Sequence, residues 1–202
     1  MHSAIATLMN EHRVIEKVLG ALEATATQAH GGAEVPRARV AELAEFFAGF
    51  ADRCHHGKEE DLLFRRLVER GLPAEEGPVA VMLSEHEAGR EHVRALAALG
   101  RGTGPLSPAE RDALVAHADG YVPLLAHHIM KEDRVLYPMA LTTLSTEDLD
   151  DLDRRYVEFE EGIMGAGEHA RLHALAERII AAAPAAASAS AAAACELCCG
   201  CP

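Results

Sequence analysis

Tryptophan is absent from the chain, aromatic residues make up 4 % of it, and lysine occurs at only three positions. Alanine, leucine, arginine and glutamate dominate instead, which is a helix-forming palette. No segment shows the apolar–polar alternation or the hairpin signals of strands. Positive charge is short as well, since the formal charge is −13. A chain so acidic has no clustered cations with which to grip a phosphate backbone or an anionic bilayer, which excludes nucleic acid and membrane surfaces as partners. Long apolar runs are also missing. Nothing approaches the roughly twenty clean apolar residues of a membrane span. The first eighteen residues, interrupted by His2, Glu11, His12, Arg13, Glu16 and Lys17, lack the apolar centre of a signal peptide. The expectation is a cytoplasmic protein.

What is present is helical punctuation. One helix is predicted from about Ser3 to Ala29, ending at Gly31-Gly32, and a second from Pro36 to Gly71. A third covers Pro78 to Leu99. Ser107-Pro108-Ala109-Glu110 reads as a capping serine, a proline at the first helical position and a reciprocating glutamate, opening a fourth helix that reaches about Met139. Pro123 inside it predicts a kink one turn before the histidines. Ser145-Thr146-Glu147-Asp148 opens a further helical region that breaks at Gly162 to Gly167, and a last helix covers roughly 168–183. Four long helices with short connections predict an all-α, up-down-up-down four-helix bundle over residues 1–140. Residues 141–183 are an added C-terminal helical extension packing on it, and 184–202 an Ala-rich linker with a Cys-rich tail.

Within these helices, histidines stand where leucines belong. The apolar stripe Ile5, Leu8, His12, Ile15, Leu19, Leu22 advances by threes and fours, so His12 points inward. Helix three repeats this with Val79, Met82, His86, Val93 and Leu96. Helix four reads Tyr121, Leu125, His128, Glu132, Val135, Met139, and helix two His56, Glu60, Leu63, Leu67. A carboxylate buried in a dry core costs several kcal/mol unless it is compensated. Two glutamates and four histidines in one register call for a shared cation. Histidine and glutamate at i and i+4 share a face, so each His-x-x-x-Glu offers one nitrogen and one oxygen to the same centre. His55-His56-Gly57-Lys58-Glu59-Glu60-Asp61 and His127-His128-Ile129-Met130-Lys131-Glu132-Asp133 form a pseudo-repeat that sets the two glutamates on opposite sides of the site.

The pattern His12 … His56-x-x-x-Glu60 … His86 … His128-x-x-x-Glu132 resembles the hemerythrin-like, or HHE cation-binding, proteins over roughly residues 3–140. The resemblance implies two iron ions bridged by carboxylates and an oxo or hydroxo group, held by His12, His56, Glu60, His86, His128 and Glu132. It implies a non-haem di-iron protein that binds or reduces dioxygen, hydrogen peroxide or nitric oxide. Catalase-like, peroxidase and nitric-oxide-handling activities stay open beside a non-catalytic iron or oxygen sensor. Oxygen-carrying hemerythrins have a second histidine one turn after the helix-three ligand, where this chain has Arg90. They also place the helix-four carboxylate so as to select Asp133, or Glu132 if His127 were the ligand; the core stripe favours His128 with Glu132. A nitrogen missing at position 90 implies a more open site suited to peroxide or nitric oxide, with Arg90 as an anion stabiliser.

The remaining features have plainer readings. His55 and His127 each precede a proposed ligand by about 100° of helix, and are expected to face solvent or a neighbouring helix. Cys54 reads as a small buried residue. His169 and His173 form an i, i+4 pair on the last helix, opened by a Gly-x-Gly-x-His segment similar to that of some prokaryotic hemerythrin-like proteins and read as a lid or fifth helix packing on the bundle, with contact to the metal as the lesser alternative. Cys195, Cys198, Cys199 and Cys201 are a poor match to paired Cys-x-x-Cys zinc sites; soft-metal capture, a redox disulfide or a protein partner are their alternatives.

Overall fold

The computed structural model describes residues 2–183. The four tail cysteines lie outside the described residues. Six helical rods follow one another: α1 (Ser3–His30), α2 (37–69), α3 (Gly77–Leu99), α4 (108–143), α5 (146–165) and α6 (Glu168–Ala181). Among the described residues there is no β-strand, and no helix is long and apolar enough to cross a membrane.

The ends form for local reasons. α1 stops at Gly31-Gly32, where Gly32 adopts φ +79° and turns the chain without a side-chain clash. At the start of α4 the Ser107 hydroxyl accepts from Glu110 N–H while the Glu110 carboxylate accepts from Ser107 N–H, and Ser145 with Asp148 does the same for α5. Each box satisfies amide groups that have no partner inside the helix. Arg37, opening α2, donates from one guanidinium nitrogen to both carboxylate oxygens of Glu110 at 2.7 Å and from the other to the Leu99 carbonyl at 2.8 Å, tying the starts of α2 and α4 together.

Helix α1 packs on α4, α2 on α3, and α3 on α4, so the apolar stripes meet in one core. Helices α5 and α6 lie outside that set and pack on α1 and α2. Glycines admit them. A Cβ on Gly57 would stand 2.7 Å from Phe159 of α5, and one on Gly49 would stand 2.9 Å from Leu172 of α6. Consequently α2 is covered on two sides, and nearly every residue from Phe46 to Leu63 with a large side chain is buried or half-buried.

Winding departs from the α form beside the histidines. Wider, π-helical turns run over Phe47–His56 and Glu59–Phe64 in α2, Glu132–Leu136 in α4 and Phe159–Gly165 in α5. Such turns collect at functional sites, because they rotate the side chains that follow onto another face. Pro123 stays inside the α-wound stretch Pro108–Lys131; the departure falls further along, at Glu132.

Candidate metal centre

Seven side chains converge where α1, α2, α3 and α4 face one another. His12, His55, Glu59 and Glu132 form one group and His56, Glu59, His86 and His128 another, with one donor atom from each member lying within 4.8 Å of the rest. All seven are between 0 and 5 % exposed. The two carboxylates stand between the groups. Glu132 sets one oxygen 3.2 Å from His12 Nε2 and the other 3.2 Å from His128 Nε2. Glu59 Oε2 is 3.6 Å from His55 Nε2 and 3.5 Å from His86 Nε2.

These groups do not satisfy one another. Glu59 Oε2 and both oxygens of Glu132 are buried without a hydrogen bond from the protein. Only Glu59 Oε1 is served, by the Tyr137 hydroxyl at 2.8 Å. Burial, and then the neighbouring Glu132, push the Glu59 carboxyl well above the usual carboxylate range. Burial would raise Glu132 too, but His128 and His12 outweigh it and hold that carboxyl well below its usual range. Burial and the adjacent His12 push His55 down to about 3, leaving a neutral imidazole.

The outer edge of each imidazole explains its orientation. His12 Nδ1 is 2.8 Å from Asp133, which pairs with Arg13. His55 Nδ1 is 2.8 Å from Glu11, which pairs with Lys58. His86 Nδ1 is 2.7 Å from Glu60, and His128 Nδ1 2.9 Å from Glu85, which pairs with Lys131. His56 Nδ1 stands 3.4 Å from Asp52, an attraction too long for a good hydrogen bond. A carboxylate beside Nδ1 keeps the proton there and turns the Nε2 lone pair inward, the arrangement found around histidines that ligate metals. The tautomers follow from these partners rather than from observed hydrogens.

His86 Nε2 and His128 Nε2 approach to 3.0 Å beside the carboxylates. A positive centre placed among them would satisfy the three orphaned oxygens together. Two donors about 2.1 Å from one ion lie roughly 3.0–3.4 Å apart at octahedral or tetrahedral angles, close to the separations seen. Five imidazole nitrogens and two carboxylates, with no thiolate among them, fit a first-row transition-metal cation.

The structure brings some of the residues singled out in the sequence together and sets others apart. His12, His56, His86, His128 and Glu132 are brought together as the core stripe requires. Glu60 is not in the cluster: it is 26 % exposed and sits between Arg90, at 2.6 Å, and the outer edge of His86. Its place is taken by Glu59. His55, expected to face solvent or a neighbouring helix, is inside, because α2 is covered on both sides and wound more widely than an α-helix. His127 is exposed. Arg90 does not stand ready for an anion. Its guanidinium is taken up by Asp52 at 2.8 Å and by Glu60, so it braces the outer partners of His56 and His86. His56 also supplies a third imidazole to the His86–His128 group, which removes the reason to expect a more open centre from the missing histidine at 90. Asp133 acts on His12 from outside, and neither His169 nor His173 belongs to either group. Cys54 is buried, and burial pushes its thiol up to about 12.

A signal for the missed residues was present. An acid sits next to a cluster residue at Glu11-His12, Glu59-Glu60, Glu85-His86 and Glu132-Asp133. One position along a helix is a 100° turn, so the neighbour reaches the adjacent helix and there braces a different histidine. Tyr137, one turn past Asp133, carried no sequence signal that separated it from an ordinary core tyrosine.

Comparison with known proteins agrees with the geometry. The family model for the hemerythrin HHE cation-binding domain matches residues 3–140. Two proteins of Mycobacterium tuberculosis and one of Mycobacterium bovis, each named as uncharacterized, are 22 % identical over 158 residues, covering 78 % of this chain and 61 % of theirs. The chain thus spans less than two thirds of those relatives' length. No solved structure matches it. With its histidines and carboxylates gathered from the four helices that this match covers, the chain belongs to the hemerythrin HHE cation-binding family.

Proposed function

We propose that His12, His55, His56, His86 and His128, with Glu59 and Glu132 between them, hold two iron ions, and that the chain binds or reduces a small oxidant: dioxygen, hydrogen peroxide or nitric oxide. The observation that carries this is the set of buried carboxylate oxygens without donors, ringed by imidazole nitrogens. Nitrogen and carboxylate donors without sulfur favour iron over softer ions. When bound, the pair supplies redox electrons and Lewis acidity. The protein supplies the rest. The outer carboxylates fix the imidazoles, the bundle excludes water, and the Tyr137 hydroxyl offers a proton donor 2.8 Å from Glu59 and 3.3 Å from His12 Nε2. That hydroxyl lies in the group with two imidazoles rather than three, the side with more room for a small ligand.

The helix neighbours fit an up-down-up-down bundle over residues 1–140 with 141–183 as a cap, and the acidic, lysine-poor composition fits a cytoplasmic protein. A second reading, a non-catalytic iron or oxygen sensor, is favoured by the same orphaned charges: a centre so unsatisfied without its cation couples metal loading to folding. Metal analysis and visible spectroscopy of aerobically purified protein decide. About two irons per chain, with near-ultraviolet bands that change on adding peroxide or nitric oxide, support the oxidant reading. Negligible turnover, with a large stability gain on metal loading, supports the sensor. Stable protein without iron overturns both.

A further inference from the structure

One polar cluster outside the centre holds more charge than its neighbours require. Under the α5–α6 cap, Glu11, Cys54, Glu160 and His169 bring donor atoms within 4.8 Å of one another. Lys58, wholly buried, sets its ammonium on both carboxylates, at 2.7 Å from Glu160. Of the five carboxylates that brace an imidazole of the centre, Glu11 is the most buried. At this one the cap adds a second carboxylate and an imidazole that the His55–Glu11–Lys58 arrangement does not need.

Two groups there have no partner. His169 Nε2 stands 3.5 Å from Glu11 and 3.9 Å from Glu160 without making a hydrogen bond. Tyr156, 2 % exposed, has an unpartnered hydroxyl. Both residues line a solvent-open cavity of about 360 Å³ that Glu11, Glu160, Asp153 and His173 also border.

We propose that this cavity is a transit site for a divalent transition-metal cation on its way to the buried centre, with Glu11, Glu160 and His169 as its donors. The inference rests on the two-ion reading above. Carboxylates and an imidazole are the donor classes such ions take, and a cleft bordered by three acids draws cations in. Two donors sharing one ion stand roughly 3.0–3.4 Å apart, and the His169–Glu11 pair at 3.5 Å needs only a small side-chain shift to reach that span. Glu11 joins the cavity to the centre, because its other oxygen bonds His55 Nδ1. Lys58 is a tethered cation holding the carboxylates when no ion is there. Its competition keeps the site weak, as transit demands, since a tight site would trap the ion short of its destination.

The test is the time course of anaerobic Co(II) uptake by the full metal-free chain, followed by visible absorption. Glu160→Gln and His169→Ala are expected to slow uptake about tenfold or more, the range that electrostatic focusing commands, and to reach the same final cobalt content as wild type. Glu161→Gln, an exposed neighbour outside the cavity, loads at the wild-type rate. Lys58→Met, where it folds, gains an extra cobalt per chain that a chelator strips quickly. Wild-type rates in both Glu160→Gln and His169→Ala, with normal final content, overturn the transit site alone. A wild-type chain that takes up no cobalt overturns the metal centre and the transit site with it.

Discussion

Two stretches of this chain are near copies in sequence and differ in structure. His55-His56-Gly57-Lys58-Glu59-Glu60 and His127-His128-Ile129-Met130-Lys131-Glu132 each carry paired histidines, a lysine and a glutamate one turn on. In the second, His128 and Glu132 face the centre and His127 faces solvent, as an ordinary helix with one buried side dictates. In the first, both histidines are buried, and Lys58 is wholly buried where Lys131 is not. The difference lies outside the motifs. Helices α5 and α6 cover the far side of α2, seated against Gly57 and Gly49, and wider turns rotate Glu59 inward in place of Glu60. A repeated motif therefore fixes the kind of donor it offers, while its surroundings fix which copy is turned inward.

The largest expected contrast is between the first histidines of the two copies. His55→Ala is expected to lower iron from about two to about one per chain, while His127→Ala leaves it unchanged. Equal effects in the two variants would remove the asymmetry. Next comes the brace on the first copy. Arg90→Gln leaves Asp52 and Glu60 without their shared cation, and chelators are expected to strip iron roughly 10–100-fold faster, the usual cost of losing an outer partner. An Arg90→Gln chain that releases iron at the wild-type rate would show the brace to be idle.

Much of this was legible beforehand, for a physical reason. His12, His86, His128 and Glu132 sit on helices with one buried face, where the 3.6-residue period assigns inside and outside. On α2 the period alone could not assign them. It selected His56 and Glu60 because those align with Leu63 and Leu67, but a helix covered on two sides keeps only a narrow solvent strip, with Arg53, Asp61 and Arg65 on it, too narrow to decide between neighbouring positions. Nothing local announces that cover; it comes from α5 and α6, more than a hundred positions further on. The outer acids were visible as residues, yet their partners lie across helix boundaries and cannot be paired without the fold.

Packing of the cap gives a smaller effect. Gly57→Val drives a side chain into Phe159 and should cost about 1–3 kcal/mol in chemical denaturation. Gly20→Ala on α1, with open space at its Cβ, should instead stabilise by about 0.5–1 kcal/mol. A neutral Gly57→Val would mean that the cap does not dock closely. The smallest effect is expected where the two motif-bearing helices begin. Arg37 and Ser107 hold the Glu110 carboxyl down to about 2, below its ordinary 4.5. A carboxyl lowered in the folded state stabilises above its unfolded pKa and loses that contribution as pH falls through the folded value. Glu110→Gln should therefore flatten slightly the fall of Tm between about pH 4.5 and 2; an unchanged slope would leave the Arg37 tie without weight.

The central claim is that Glu59, and not its neighbour, is the carboxylate α2 gives to the centre. Iron content and the near-ultraviolet spectrum of Glu59→Gln and Glu60→Gln, purified side by side from iron-replete cells, test it most directly. The account predicts that Glu59→Gln loses most of its iron and the spectrum with it, while Glu60→Gln keeps both and only releases iron faster to chelators. Retention of iron by Glu59→Gln with loss in Glu60→Gln would contradict it.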